Sequence, residues 1–287
     1  MLRSLLILAV IAVVVLFSFT QFARRTSMFY PTRFPLGQWD TSAYSPAPRE
    51  QIIVTADQVR LHAWHFPARD PAAPLMIWFH GNGGNISDRG PMAAEFAKRG
   101  LSVLLFDWRG YGKSDGKPTE QALYRDGAAA HRHAREALGI KPTDIVLYGE
   151  SLGGPYAADM ARRHGARCVV IENSFPSLTA MGNLLYSPMP LGWFVPRAMR
   201  TADWLNEAGL PVLIMHGRRD EVIPFELGKK LYDELRVPKH LLVSERAGHC
   251  EIASAEGARY YDAVVRFATN PTGNQERGNT ADGPTEN

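Results

Sequence analysis

Cysteine is scarce in this chain, and neither sign of charge is in large excess. The chain has two cysteines, Cys168 and Cys250, which lie far apart in sequence and fit neither a disulfide framework nor a zinc ligand set. Lys and Arg number 32 against 29 Asp and Glu, and without a long basic run the electrostatic footprint of a nucleic-acid-binding protein is missing. We therefore expect no metal site and no nucleic-acid partner.

Apolar residues, by contrast, are plentiful enough for a large core. Hydrophobic residues make up 45% of the 287 positions and charged residues 21%, which are values typical of soluble globular domains. This composition excludes a wholly disordered or collagen-like chain. The length favours one large domain with appendages over two small domains.

One long apolar run stands near the N-terminus. It extends without a charge from Leu5 to Phe19 and continues to Ala23, about twenty residues in all, which suffice to cross a bilayer as a helix. We interpret residues 1–25 as a transmembrane anchor, so a membrane is an expected partner. Arg3 also suits the start of a cleaved secretory signal, but no A-x-A-like cleavage site follows. A cleaved signal and a buried soluble helix remain the alternatives.

Charges flanking the apolar run bear on the side of the membrane that the rest of the chain occupies. Arg24, Arg25 and Arg33 follow the run, whereas Arg3 alone precedes it. This asymmetry favours a cytoplasmic location for the bulk of the chain. The sequence leaves the side open, as it does the oligomeric state.

The rest of the chain divides by composition into three parts. Residues 26–50, rich in Pro, Ser and Arg, are predicted to be a linker laid against the domain. Residues 51–268 form the predicted domain. Residues 269–287 contain almost nothing apolar and are predicted to be a disordered tail.

Strand-like and helix-like segments alternate within the predicted domain. Two short strand-like runs at 51–56 and 59–66 suggest an antiparallel pair. Near-continuous apolar runs, typical of strands buried on both faces, follow at 74–80, 101–107, 144–149, 166–172, 210–217 and 240–245. Helical patterns separate them, one of them spanning roughly 176–207. The alternation predicts an α/β domain with a mostly parallel central sheet of about eight strands, helices on both faces and no large cap domain.

The pattern G-x-S-x-G occurs at Gly149, Ser151 and Gly153. It begins where an apolar run ends and leads directly into a helical segment, which is the strand-turn-helix setting that a nucleophile elbow requires. Glycines leave room for the tight turn, and the helix N-terminus favours a developing anion near the serine. We therefore predict Ser151 as a nucleophile.

A serine hydroxyl needs a base, and the base needs an orienting carboxylate. Asp220 and His249 each lie in a loop directly after a strand-like run, and the order Ser, Asp, His suits this kind of fold. Glu172, at the end of another run, is the rival acid. We predict Ser151, Asp220 and His249 as catalytic residues.

An oxyanion also needs donors, usually backbone N–H groups. The glycine-rich sequence His80-Gly81-Asn82-Gly83-Gly84-Asn85 follows the first buried run and is similar to an HG-type oxyanion loop. The predicted donors are the N–H groups of Asn82 and Leu152. A plain strand-to-helix loop is the alternative for this glycine-rich sequence.

Taken in order, HGNGGN at 80–85, DWRGYGKSDG at 107–116, GESLGG at 149–154, HGRRDEVIP at 216–224 and AGHCE at 247–251 resemble the α/β-hydrolase superfamily. Within it, the chain is similar to membrane-anchored serine hydrolases described as monoacylglycerol-lipase-like or serine-aminopeptidase-like. The resemblance implies a cofactor-free hydrolase of ester, thioester or amide bonds, with Ser151, Asp220 and His249 as its triad. Cys250 departs from the small polar residue that this group commonly carries after the histidine.

These motifs indicate the fold and the triad more specifically than they indicate the substrate. The apolar stretch 174–200 is predicted to be a short lid and acyl-pocket wall, with ordinary core packing as the alternative. A membrane anchor and an apolar lid favour a small acyl ester or lipid-like substrate, either an ester or a thioester. A serine peptidase and a catalytically silent, membrane-tethered scaffold protein are the alternative functions.

Overall fold

A computed structural model describes residues 29–185 and 198–273. The predicted anchor at 1–25 lies outside these residues, as do most of the predicted tail and the middle of the predicted lid. Within the described part of the chain, no helix is both long enough and apolar enough to span a membrane.

Strands and helices alternate along the described residues. The strands are β1 (Tyr30–Pro31), β2 (Arg49–Val54), β3 (Arg60–Phe66), β4 (Leu75–Phe79), β5 (Gly83–Gly84), β6 (Ser102–Phe106), β7 (Ile145–Glu150), β8 (Cys168–Glu172), β9 (Val212–Gly217) and β10 (Lys239–Ser244). The α-helices are α1 (Gly90–Lys98), α2 (Glu120–Glu136), α3 (Gly153–His164), α4 (Leu178–Leu185), α5 (Thr201–Ala208), α6 (Phe225–Glu234), α7 (Ile252–Glu256) and α8 (Ala258–Thr269). Short 3-10 helices occur at Ile86–Asp88 and Pro142–Asp144.

The main sheet has eight strands in the order β10-β9-β8-β7-β4-β6-β3-β2. β3 is antiparallel to both β2 and β6, and the other neighbouring pairs are parallel. The prediction of a mostly parallel sheet of about eight strands is confirmed. All residues of β4, β7, β8 and β9 are buried, which explains why these strands are almost entirely apolar before their carboxyl ends.

Helices cover both faces of this sheet. Along β4, Leu75, Ile77 and Phe79 pack into one core with apolar residues of α2, α3, α5 and α6. Met76 and Trp78 point the other way and pack into a second core with residues of α1, α7 and α8. This alternation follows from the two-residue period of a strand.

The segment at roughly 176–207 was predicted to have helical character. Its described residues include α4 and α5, and residues 186–197 lie outside the described residues. Met199, just before α5, has a φ of +51°. A left-handed backbone conformation does not continue a right-handed helix, so α5 starts afresh at Thr201.

Candidate active site

Ser151 occupies a sharp turn between β7 and α3. Its φ is +53°, in the left-handed region that non-glycine residues rarely adopt. A Cβ on Gly153 would lie 1.8 Å from the carbonyl oxygen of Phe79, and one on Gly149 would lie 2.6 Å from the Cα of Gly154. The predicted need for glycine at both positions therefore has a direct steric cause. The turn is also tied to β8, because the Ser151 N–H donates to the Glu172 carbonyl at 2.8 Å.

The three predicted catalytic residues are far apart in the sequence and meet at this turn. The Nε2 atom of His249 lies 3.0 Å from the Ser151 Oγ. On the other side of the imidazole, Nδ1 lies 2.8 Å from Oδ2 of Asp220. The geometry is a continuous hydroxyl–imidazole–carboxylate chain.

Asp220 lies in the loop after β9 and is buried. Its Oδ1 accepts the N–H groups of Val222 at 2.9 Å and Ile223 at 2.8 Å, and its Oδ2 accepts the Asn173 side-chain amide at 2.5 Å. Burial alone would raise the pKa of Asp220, but hydrogen bonds from His216, His249 and Asn173 hold that pKa well below its usual value. Asp220 is therefore a carboxylate at neutral pH.

The ionised Asp220 determines which nitrogen of His249 carries the proton. A carboxylate only accepts hydrogen bonds, so Nδ1 of His249 is the donor. In the neutral ring, Nε2 then presents its lone pair to the Ser151 hydroxyl. This arrangement allows His249 to take the Ser151 proton, with the resulting imidazolium beside a fixed negative charge.

The side chain of Glu172, the rival acid, has other partners. Its carboxylate is buried and bonds the hydroxyl groups of Tyr148 and Tyr260. Burial raises the pKa of Glu172 to about 7. The carboxylate bonded to His249 is thus Asp220.

The glycine-rich loop that follows β4 borders Ser151. A Cβ on Gly81 would lie 3.4 Å from the Ser151 Cβ, and Asn82 and Leu152 line the same cleft as Ser151 and His249. Leu152 directly precedes the first residue of α3, so its backbone lies at a helix N-terminus. Both predicted donor residues therefore lie beside the nucleophile.

The architecture and sequence of this chain match known proteins. A family model described as the alpha/beta hydrolase fold matches residues 74–208. Uncharacterized protein Rv2307c of Mycobacterium tuberculosis is 31% identical over 272 residues, covering 93% of this chain and 95% of that protein. The chain belongs to the α/β-hydrolase superfamily.

Two further similarities cover different shares of this α/β hydrolase. Alpha/beta hydrolase domain-containing protein 17B of Homo sapiens is 33% identical over 173 residues, or 59% of each chain. The esterase Pf2001 of Pyrococcus furiosus superposes with a TM-score of 0.67 at 22% identity, covering 86% of this chain and 98% of that one. This structural likeness shows the fold, and the predicted α/β-hydrolase fold is confirmed.

A cleft of about 650 Å³ opens over Ser151 in this α/β hydrolase. Apolar side chains form much of its lining, namely Leu152, Phe175, Leu178, Met181, Met199, Val222 and Ile223. Four of them belong to the segment 174–200 that was predicted to be a lid and pocket wall. Residues 186–197 of that segment lie outside the described residues.

A largely buried ion pair also lines the cleft. Nη2 of Arg89 lies 2.6 Å from Oε1 of Glu150, and the Trp78 indole donates to Oε2 at 3.1 Å. Although burial alone would raise the pKa of Glu150, Arg89 lowers that pKa to about 2. Glu150 directly precedes Ser151 in sequence. Arg89 also donates to the Gly83 carbonyl at 3.0 Å, so the pair is joined to the glycine-rich loop.

Sequence reasoning did not find several residues that support the site. Asn173 and His216 were detectable in principle, because polar residues at the carboxyl ends of parallel strands converge on one edge of an α/β sheet. Arg89 lies in the loop before a helix and carries no comparable signal.

Cys250, singled out for its position, lines the cleft with a φ of +57°, and burial raises the pKa of its thiol well above the ordinary value. Among the described residues, no group of three His, Cys, Asp or Glu side chains is arranged to hold a metal ion.

Proposed function

We propose that this α/β hydrolase cleaves carboxylic esters or thioesters through an acyl-enzyme intermediate. Ser151 is the nucleophile, His249 the general base and acid, and Asp220 the residue that orients His249. The observation that carries the proposal is the chain of contacts from the Ser151 Oγ through His249 to Asp220 on the floor of an apolar cleft.

The first step is attack of the Ser151 oxygen on the acyl carbonyl carbon. His249 takes the hydroxyl proton at Nε2, and Asp220 stabilises the imidazolium that forms. The N–H groups of Asn82 and Leu152 donate to the oxyanion, and the N-terminus of α3 adds its partial positive charge. His249 then protonates the leaving group as the carbon–oxygen or carbon–sulfur bond breaks.

The second step releases the acyl group. Water attacks the acyl carbon, and His249 accepts its proton at Nε2. The bond to the Ser151 Oγ then breaks, and Ser151 recovers its proton from His249. The reaction needs no cofactor.

Two features support an apolar acyl group. The cleft around Ser151 is lined by side chains such as Phe175, Leu178 and Met181, which suit a hydrocarbon chain. The second feature is the apolar run at 5–23, which supports a membrane tether, and a tethered enzyme would meet lipid-like substrates. Small acyl esters and lipid-like esters or thioesters are therefore the proposed substrate class.

Hydrolysis of p-nitrophenyl esters of increasing acyl length tests the proposal. Turnover by the wild type and its loss, by at least about 10³-fold, in Ser151→Ala is the expected result. Hydrolysis of peptide p-nitroanilides without ester hydrolysis would favour the alternative of a serine peptidase. A folded wild type inactive on both would favour the membrane-tethered scaffold.

Deletion of residues 1–25 tests the proposed membrane tether. A chain beginning at Thr26 should appear in the soluble fraction after cell lysis, whereas the full chain should sediment with membranes. Equal partitioning of the two chains would contradict the tether.

A further inference from the structure

The residues before the main sheet form part of the site. We define residues 30–38 as the strap. Its first two residues, β1, pair in parallel with β5, so that Tyr30 lies opposite Gly83 and Pro31 opposite Gly84. The strap therefore adds a strand to the loop that carries Asn82.

Both oxygen atoms of Asn82, the backbone carbonyl oxygen and Oδ1, accept hydrogen bonds. The backbone N–H of Tyr30 donates to its side-chain Oδ1 at 3.1 Å. The Tyr111 hydroxyl donates to its carbonyl oxygen at 2.8 Å and also lies 3.3 Å from Oδ1. Together these contacts restrict rotation about the backbone of Asn82, which also carries the proposed oxyanion donor.

The strap also bonds the end of the same loop. The Asn85 side-chain amide donates to the carbonyl oxygens of Thr32 at 3.1 Å and Leu36 at 3.0 Å. The backbone N–H of Gln38 donates to the Ser87 Oγ at 2.9 Å. Asn85 and Ser87 are buried, so these bonds satisfy groups that would otherwise be costly to bury.

A second loop fixes the strap from the opposite side. Phe34 donates its N–H to the Gly112 carbonyl at 3.0 Å, and Gly112 donates its own N–H to the Thr32 carbonyl at 2.9 Å. The Arg33 guanidinium donates to the carbonyl oxygens of Gly110 at 3.1 Å and Gly116 at 2.8 Å. The strap is thus held between two loops, and its position does not depend on the contact with Asn82.

We propose that the strap is a positioning element of the oxyanion site, and that the Tyr30 N–H acts on the reaction through the Asn82 side chain. The inference rests on the proposed function, because it assigns a role to the geometry of the Asn82 N–H. A donor stabilises an oxyanion best when it is oriented before the charge develops. Tyr30 itself is a positioning residue, since its amide bonds Asn82 and not the reacting atoms.

Two substitutions at one exposed position separate the amide from the side chain. In the full-length chain, Tyr30→Ala keeps the N–H, whereas Tyr30→Pro removes it, and both remove the aromatic ring. We expect Tyr30→Pro to have a kcat for ester hydrolysis about 10- to 100-fold below that of Tyr30→Ala. KM should agree within about twofold and Tm within about 2 °C, because the lost contact acts on the oxyanion loop and not on the core.

Asn82→Ala completes a double-mutant cycle. It removes the Oδ1 acceptor but keeps the backbone N–H. Because Oδ1 also lies 3.3 Å from the Tyr111 hydroxyl, Asn82→Ala should lower kcat at least as much as Tyr30→Pro does. In the Asn82→Ala background, changing Tyr30 from Ala to Pro should cause no further loss, because the contact is already absent. This background also tests the inference if Tyr30→Pro alone folds poorly, since Asn82→Ala with wild-type kcat would overturn it.

The outcomes distinguish the two proposals. If wild-type activity depends on Ser151 but Tyr30→Pro and Tyr30→Ala have equal kcat, the strap inference is wrong and the proposed function stands. A loss of kcat in Tyr30→Pro that is undiminished in the Asn82→Ala background would also overturn it. Absence of any hydrolysis in the folded wild type would instead contradict the proposed function.

Discussion

At the scale of single residues, the site depends on the buried carboxylate of Asp220, which the protein surrounds with hydrogen-bond donors. Asp220 accepts hydrogen bonds from two backbone N–H groups, the Asn173 amide and His249. Each donor offsets part of the cost of burying a carboxylate. The same bonds fix the direction of the carboxylate, so that His249 has a defined tautomer and orientation.

Asp220→Asn removes the charge with little change in volume. We expect kcat for ester hydrolysis to fall by about 10³- to 10⁴-fold, because the neutral amide no longer stabilises the imidazolium or enforces the productive tautomer of His249. Glu221→Gln is the matched control, since Glu221 is the exposed neighbouring carboxylate, and its kcat should stay within about twofold of wild type.

Substitution of Glu172, the rival acid, tests whether Asp220 is the acid of the triad. Glu172 bonds Tyr148 and Tyr260, so Glu172→Gln should reduce kcat far less than Asp220→Asn. If steady-state kinetics instead showed that Glu172→Gln abolishes turnover while Asp220→Asn retains it, our assignment of the acid would be wrong.

At the scale of secondary-structure elements, local rules predicted some features and missed others. The elbow was predictable because its causes are local: a buried strand, a tight turn and a helix follow one another within a few residues of Ser151. The strands were predictable because burial on both faces removes polar residues from their sequences. The positions of Asp220 and His249, each directly after a strand, predicted that both would lie near Ser151, because parallel strands bring their carboxyl ends to one edge of the sheet.

The strap was not predictable by the same rules. Residues 26–50 carry no regular apolar period, and their composition predicts a linker. The contacts that give the segment its proposed role join residues about fifty positions apart, as from Tyr30 to Asn82. Most of these contacts involve backbone atoms, which leave no pattern of side chains in the sequence. Such pairing becomes visible only once the fold has brought the segments together.

The segment at 174–200 shows the same limit. Its apolar residues predicted both a pocket wall and ordinary core packing, because the two environments select similar side chains. Phe175, Leu178, Met181 and Met199 line the cleft, while Phe175 and Met199 also belong to the core beneath it. Among the described residues of this segment, the pocket wall and the core are therefore not alternatives, since two side chains belong to both.

At the scale of the whole molecule, the sheet brings the chemistry to one edge and leaves a cleft there. The nucleophile, its base and the loop of Asn82 all come from strand ends of that edge. Tyr30 lines the same cleft and stands only seven residues after Ala23, the end of the apolar run. In our proposal, the membrane tether therefore ends a few residues before the strap in sequence.

The proposed reaction requires that Ser151 is an activated nucleophile. Labelling of the full-length protein with a fluorophosphonate probe, followed by mass spectrometry of the labelled peptide, tests this claim without presuming a natural substrate. We predict labelling confined to Ser151, absent from Ser151→Ala, and at least about 100-fold slower in His249→Ala because the base is missing. A correctly folded wild type that does not react, or one labelled at another serine, would contradict the claim.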